Sequence, residues 1–300
     1  MRSYNPKEWG KIVLDFHKSD TLRQLIPVLL AVALYSFGVT FFERHYIDPS
    51  HQPKIQGLSV LDSLLGFVIS MLLVFRTNTA YDRWWEGRKL WGSLVNNSRN
   101  LAIKLNSLIP VDDTNTKAFF AELIPRFALE LKNHLQAAGA RYALDQFEHP
   151  EIPGFDRFRH VPEQIVGTVT ERLIQMQRDR QLSAEQLLFI NPELTSFMDI
   201  CGACERIKNT PIPFSYSSFI KKFILFYTMI LPVGYSVSIG YLIIPVVIFV
   251  FYALASLELI AEEIEEPFGT DENDLPMDRI IETINKNVSA ILNQPIQSDS

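Results

Sequence analysis

Charge is missing from one long stretch of this 300-residue chain: Phe223 to Leu257 holds no Asp, Glu, Lys, Arg or His, a run of 35 residues. As one helix, at about 1.5 Å per residue, it would be roughly 50 Å long, well beyond the ~30 Å hydrocarbon core of a bilayer. A water-soluble core has no need of so long an uncharged segment. Two crossings joined by a tight turn fit it, with Pro232, Gly234, Gly240 and Pro245 as break points. Other absences narrow the function. No basic run occurs and the formal net charge is −6, which argues against nucleic acid as a partner. There is no G-x-S-x-G, no H-E-x-x-H, no phosphate-cradling glycine loop and no Glu-x-x-His pair for a di-metal centre. An enzyme has little to work with here, and no cofactor is expected.

Bulk composition decides less than distribution. A hydrophobic fraction of 47%, a charged fraction of 21% and a mean hydropathy of +0.07 lie within reach of a soluble domain. A second uncharged segment, Leu25 to Phe42, has 18 residues, enough for one crossing. A third, Leu64 to Phe75, has only 12, and becomes a span if Asp62 and Ser63 sit at one interface and Arg76 at the other. Basic residues set the orientation. Arg2, Lys7, Lys11, Lys18 and Arg23 precede the first segment, Arg76, Arg83, Arg88 and Lys89 follow the third, and Lys221 and Lys222 precede the long run. These tallies predict four crossings, both termini in the cytoplasm, and residues 76–222 inside. A cleaved signal peptide is not expected, because the first twenty residues are polar and Ala31-Val32-Ala33 lies within the apolar stretch.

The pattern divides the chain into 1–82 with two crossings, a helical cytosolic region 83–213, 214–260 with two more crossings, and a cytosolic tail 261–300. Leu90, Leu94, Leu101, Leu105 and Leu108 recur at helical spacing, so the third segment continues as a long amphipathic rod ended by Pro110, Asp112 and Asp113. Phe119 to Gln136 reads as a helix bent or broken at Pro125, and Glu148 to Pro162 as a loop. Glu163 to Arg180 resumes the helical period, and Ser183 with Gln186 forms a capping box for a further helix. No useful β-alternation appears. The class is all-α.

Three clusters carry possible chemistry. Cys201-Gly-Ala-Cys204 has redox or zinc spacing, but the six histidines are scattered and no βαβ context surrounds it, so both are read as packing thiols and no metal ligand is named. Glu262, Glu265 and Glu266 share a helical face, open either to cation ligation or to simple solvation at a membrane boundary. Phe67, Met71 and Phe75 stand at i, i+4 and i+8 on one face. That stripe is either lipid-facing or packing bulk, or the lining of a pore. In a symmetric oligomer three stacked apolar rings form a neck that gates by dewetting, and inward Phe edges are less hostile to an anion than an aliphatic wall.

Two segments resemble the bestrophin family in its bacterial form. One runs from Gly66 through Phe75-Arg76, Asn78 and Tyr81-Asp-Arg-Trp-Trp-Glu86 to Trp91-Gly92; the other is Gly202-Ala-Cys-Glu-Arg-Ile-Lys-Asn-Thr-Pro-Ile-Pro-Phe-Ser-Tyr216. Glu265-Glu-Pro-Phe-Gly269 with Asn273-Asp-Leu-Pro276 is a weaker third. The resemblance implies a homopentamer in the bacterial inner membrane with a central pore lined by the second spanning helix, and Phe67, Met71 and Phe75 as its neck. It implies a second, cytosolic constriction near Glu185 or Gln186, where neither residue is apolar. Family kinship favours chloride-type anions among small monovalent ions, with cation selectivity also open. Animal members hold calcium in an unbroken acidic run after the last spanning helix; here Pro267, Phe268, Gly269 and Thr270 interrupt it, so no calcium dependence is expected. Two other classes remain: a non-conducting membrane anchor whose helices bind a partner, and a carboxylate–metal membrane enzyme using Glu262–Glu266.

Overall fold

The structure is a computed structural model describing residues 20–46, 58–136, 154–156 and 159–293. Among the described residues every regular element is helical: α1 (Asp20–Tyr46), α2 (Leu58–Leu108), α3 (Thr114–Gln136), α4 (Val161–Arg178), α5 (Ala184–Asn209), α6 (Phe214–Ile239), α7 (Ile243–Glu265) and α8 (Met277–Asn293), with a 3₁₀ turn over Gly240–Leu242. The chain divides into two compact units, one of Arg2–Arg83 with Pro211–Glu265, the other of Trp84–Thr210 with Glu266–Ser300. Among the described residues after Glu265, α8 packs within the second of these units.

The first unit holds α1, the start of α2, α6 and α7. Three stretches, Thr21–Tyr46, Asp62–Leu108 and Phe214–Glu265, are long and apolar enough to cross a membrane. Inside this unit Leu25, Val32, Ile69, Leu73, Ile220, Ile224, Val247 and Phe251 form one core. Ser36 and Thr40 of α1 are fully buried and return their hydroxyls to the carbonyls of Val32 and Ser36, both at 2.8 Å. A helix that turns its hydroxyls inward and its apolar side chains outward suits a hydrocarbon surrounding.

The long run breaks at Gly240, not at Pro232. Pro232 is buried inside α6, and the helix continues through it to Ile239. A membrane helix tolerates such a proline when neighbours satisfy the freed carbonyl. Gly240 takes φ 61°, and a Cβ there would lie 2.5 Å from Nη2 of Arg44. The positive φ calls for glycine, whereas the Arg44 guanidinium is the mobile end of a long side chain, and there α6 hands over to α7.

The second unit holds the remainder of α2, then α3, α4, α5 and α8. Its core joins Trp91, Leu94, Leu101 and Leu105 of α2 to Phe120, Leu123, Phe127 and Leu131 of α3, Ile190 and Phe197 of α5, and Ile284 and Val288 of α8. The rod expected beyond the third segment is present: α2 has 51 residues, about 75 Å at 1.5 Å each. α3 begins earlier than Phe119, at Thr114, where Asp113 Oδ1 accepts the Thr116 N–H at 2.9 Å. It is not broken at Pro125, which lies buried within it. The Ser183 capping box forms as expected, with Ser183 Oγ accepting from Gln186 N at 3.3 Å and Gln186 Oε1 accepting from Ser183 N at 2.8 Å.

Candidate functional site

The stripe Phe67, Met71 and Phe75 lies on an open face of α2, at 67%, 43% and 56% exposure in the single chain. The opposite face carries Ile69, Leu73, Arg76 and Ala80, all buried. Its composition differs from that of the exposed faces of α1 and α7. Ser63, Ser70, Asn78 and Thr79 are exposed along with the Phe and Met side chains. On α1, by contrast, every exposed position from Ile26 to Phe42 is apolar, proline or glycine. α7 between Pro245 and Leu257 likewise exposes Pro245, Val246, Phe249 and Leu257 alone. A surface bathed in acyl chains gains nothing from hydroxyls and amides. Ser70 and Thr79 donate to the carbonyls of Gly66 and Phe75 at 2.7 and 2.9 Å, as Ser36 and Thr40 do within α1, so it is Ser63 and Asn78 between the bulky apolar groups that suit intermittent contact with water.

Immediately past the stripe, Arg76 fixes the helix. Its side chain is fully buried, with Nε 3.3 Å from Glu258 Oε1 and Nη2 2.7 Å from Glu265 Oε2, both on α7. The other oxygen of Glu265 accepts the backbone N–H of Ile212 at 2.6 Å, and the Glu265 carbonyl accepts from Arg83 Nε at 3.0 Å. One residue at the end of α7 thereby ties two turns of α2 to the Pro211–Pro213 stretch. The role of Glu258 was not foreseen from sequence. The available signal was a lone carboxylate inside an apolar helix, whose partner must be a cation at matching depth.

These contacts bear on the acidic cluster. Glu265 is committed to Arg76 and Ile212, and Glu262 pairs with Lys221 Nζ at 2.8 Å. These two carboxylates of the cluster hold cationic or N–H partners. In the second unit, the residues following it fold onto α2. Phe268 is buried, a Cβ on Gly87 would lie 3.2 Å from its ring, and Trp84 Nε1 donates to the Asn273 carbonyl at 3.1 Å. The Trp84, Gly87, Pro267, Phe268 and Asn273 motif residues form one packed patch, which is a structural reason for their identities.

Cys201 and Cys204 are free and buried. Burial, aided by the negative charge of Glu205, pushes the Cys201 thiol up to about 12, and Cys204 is raised further by the same main cause. Glu185 is exposed at the start of α5, and the Ser183 hydroxyl donating to its Oε2 at 2.6 Å holds its carboxyl below the usual value. Gln186 spends its side chain on the cap. Of the apolar residues close by, Leu182 is buried and Leu187 half-buried, while Leu188 and Phe189 are exposed.

Comparison with known proteins places this architecture. A family model described as Bacterial/Fungal Bestrophin protein matches residues 1–290. A protein of Nostoc sp. named as a voltage-dependent anion channel-forming protein is 36% identical over 286 residues, covering 94% of this chain and 91% of that one. The voltage-dependent anion channel-forming protein YneE of Escherichia coli K12 is 30% identical, covering 93% and 90%. The crystal structure of a bacterial bestrophin homologue from Klebsiella pneumoniae superposes with a TM-score of 0.72 at 25% identity, covering 90% of this chain and 99% of that one.

Proposed function

Because the chain belongs to the bacterial and fungal bestrophin family, we propose that it is a passive channel for small monovalent ions, a homopentamer whose central pore is lined by α2. The mixed face of α2 carries this reading: unlike the described apolar spans of α1 and α7, its exposed face interleaves Ser63, Ser70, Asn78 and Thr79 with aromatic and thioether side chains. Five copies turned inward make Phe67, Met71 and Phe75 three stacked rings, a neck that conducts when wetted and closes when it dries. Apolar rings impose little charge preference. The relatives' names as anion channel-forming proteins support chloride-type anions as the permeant class.

The topology of this reading has four crossings, α1, α2, α6 and α7, with both termini cytoplasmic in the bacterial inner membrane. The turn at Gly240 and the Lys/Arg distribution support it. A second narrowing belongs at the start of α5, around Glu185 and Gln186, where Glu185 and the neighbouring Leu188 are exposed.

The test is reconstitution into planar bilayers under a potassium chloride gradient. The expected result is a current reversing near the chloride equilibrium potential. Reversal near the potassium potential would overturn the anion assignment, and absence of current from pure, folded protein would overturn conduction itself.

A further inference from the structure

Two histidines 26 positions apart, scattered in the sequence, meet on one carboxylate. His134, near the end of α3, and His160, the residue that caps α4, each place Nε2 2.7 Å from the same oxygen of Glu205, Oε1, on α5. The three donor atoms lie within 4.8 Å of one another, and the two imidazole rings sit 4.4 Å apart, centre to centre. One turn back along α5, Cys201 Sγ is 3.8 Å from His160 Nε2. We propose that His134, His160 and Glu205, with Cys201 as fourth donor, form a binding site for a divalent transition metal of the zinc class.

The donor set selects the ion. Two imidazoles, one carboxylate and one thiol suit zinc and its borderline neighbours, whereas calcium and magnesium prefer all-oxygen shells. Placement also fits. Cys201 and Glu205 are four apart on one face of α5, and the histidines arrive from two other elements, so no donor depends on a long flexible arm. The side chains of His134, His160 and Glu205 are partly exposed, which leaves an entry path, while Cys201 is buried beneath them.

The 2.7 Å contacts are hydrogen bonds of the metal-free form, with one oxygen accepting from two rings. A tetrahedral zinc, with bonds of about 2.0–2.3 Å, sets ligand edges of roughly 3.3 Å between nitrogen and oxygen and 3.6 Å between nitrogen and sulfur. Small rotations reach the first; the Cys201–His160 spacing of 3.8 Å is close to the second, and Cys201, outside the 4.8 Å cluster of the other three, swings its sulfur inward to complete the shell. His160 Nδ1 accepts the Glu163 N–H at 3.1 Å, so the metal-free ring carries its proton on Nε2. On metal entry the ion takes the place of the Nε2 proton on both rings, each ring proton moves to its own Nδ1, and the cap bond from Glu163 N–H to His160 opens. The Cys201 thiol loses its proton to solvent on coordination. The bound ion pins α3, the start of α4 and α5 together, a staple in the Trp84–Thr210 unit. It stands apart from the ion-conduction reading.

The test uses the full chain in detergent, stripped with chelator and titrated with Co²⁺ alone, then Zn²⁺. The expected result is one Co²⁺ per chain with tetrahedral visible bands and a sulfur-to-cobalt charge-transfer band, both displaced by Zn²⁺. Cys201→Ser should remove the charge-transfer band. His134→Gln and Glu205→Gln should weaken binding by more than the roughly 10–100-fold that losing an outer-shell partner costs. His160→Asn should do the same while keeping a capping side chain, so that the metal-free melting temperature holds. No cobalt bands, or bands indifferent to these substitutions, would overturn the site. Should a variant fail to fold, the parent decides: Zn²⁺ must raise its melting temperature, reversibly with chelator and without an equal effect from Ca²⁺.

Discussion

Arg76 and Glu258 face each other at 3.3 Å across the α2–α7 contact, with side chains 0% and 2% exposed. The pair has a third member in Glu265, at 2.7 Å from the same guanidinium. Removing one partner of a buried ion pair strands the other charge, at a cost of about 3–5 kcal/mol. Arg76→Gln is therefore expected to lower stability by that amount in a detergent melt, and Glu258→Gln by less, because Glu265 still answers Arg76. Equal and negligible effects would show that the guanidinium is satisfied by other means.

The turn at Gly240 gives a second, sharper expectation. Any side chain there meets both an unfavourable φ of 61° and the Arg44 guanidinium. Gly240→Ala should destabilise by about 1–3 kcal/mol from backbone strain and displacement together. Gly38, where a Cβ meets nothing within 4 Å, is the control: Gly38→Ala should be neutral or slightly stabilising in the same melt.

Cysteine chemistry offers a pH-resolved check on the helical unit. With burial holding Cys201 up to about 12 and Cys204 higher still, both thiols of the metal-free protein stay protonated through neutral and mildly alkaline pH. Thiolate is the reactive form. Iodoacetamide labelling at pH 8 should therefore be slow in the folded chain and become rapid once denaturant unfolds it. Fast labelling of the native protein would place these residues outside the core.

Calcium is expected to leave any current unchanged. Glu265 already holds Arg76 and the Ile212 N–H, and Asp274 Oδ2 accepts the Asp271 N–H at 2.5 Å. A calcium shell needs six to eight oxygens, and these two have prior partners. Recording with micromolar calcium and then with chelator on the cytoplasmic side tests this. A response would show that the acidic stretch rearranges.

Much of the fold was legible because it rests on local patterning. The Leu90–Leu108 period marks the rod, Ser183 and Gln186 satisfy each other within one turn, and the uncharged run announces membrane helices. What escaped depends on contacts distant in sequence. Pro232 and Pro125 read as breaks, yet packing carries both helices through, and the turn settles where the backbone requires φ above zero. The partner of Arg76 lies 182 positions away at Glu258. The meeting of His134, His160 and Glu205 exists only once three elements pack. The stripe itself was visible, but the polar company it keeps on α2 needed the burial of the other face.

That contrast between faces supplies the decisive experiment on the neck. Phe67, Met71 and Phe75 are open in the single chain, so replacing all three with Ala should change the thermal stability of the isolated subunit by no more than about 0.5 kcal/mol each. In the assembled pore the same change widens and wets a dry constriction, so conductance should rise several-fold and gating should loosen. Ile69 lies between them in sequence but is only 1% exposed on the packed face. Ile69→Ala should reverse the pattern, costing about 2 kcal/mol or more through the cavity it leaves, with little change in the current of surviving channels. Stability and conductance thus separate on two faces of one helix. If the triple substitution left the current unchanged while Ile69→Ala altered it, the face turned to the ions would be the other one.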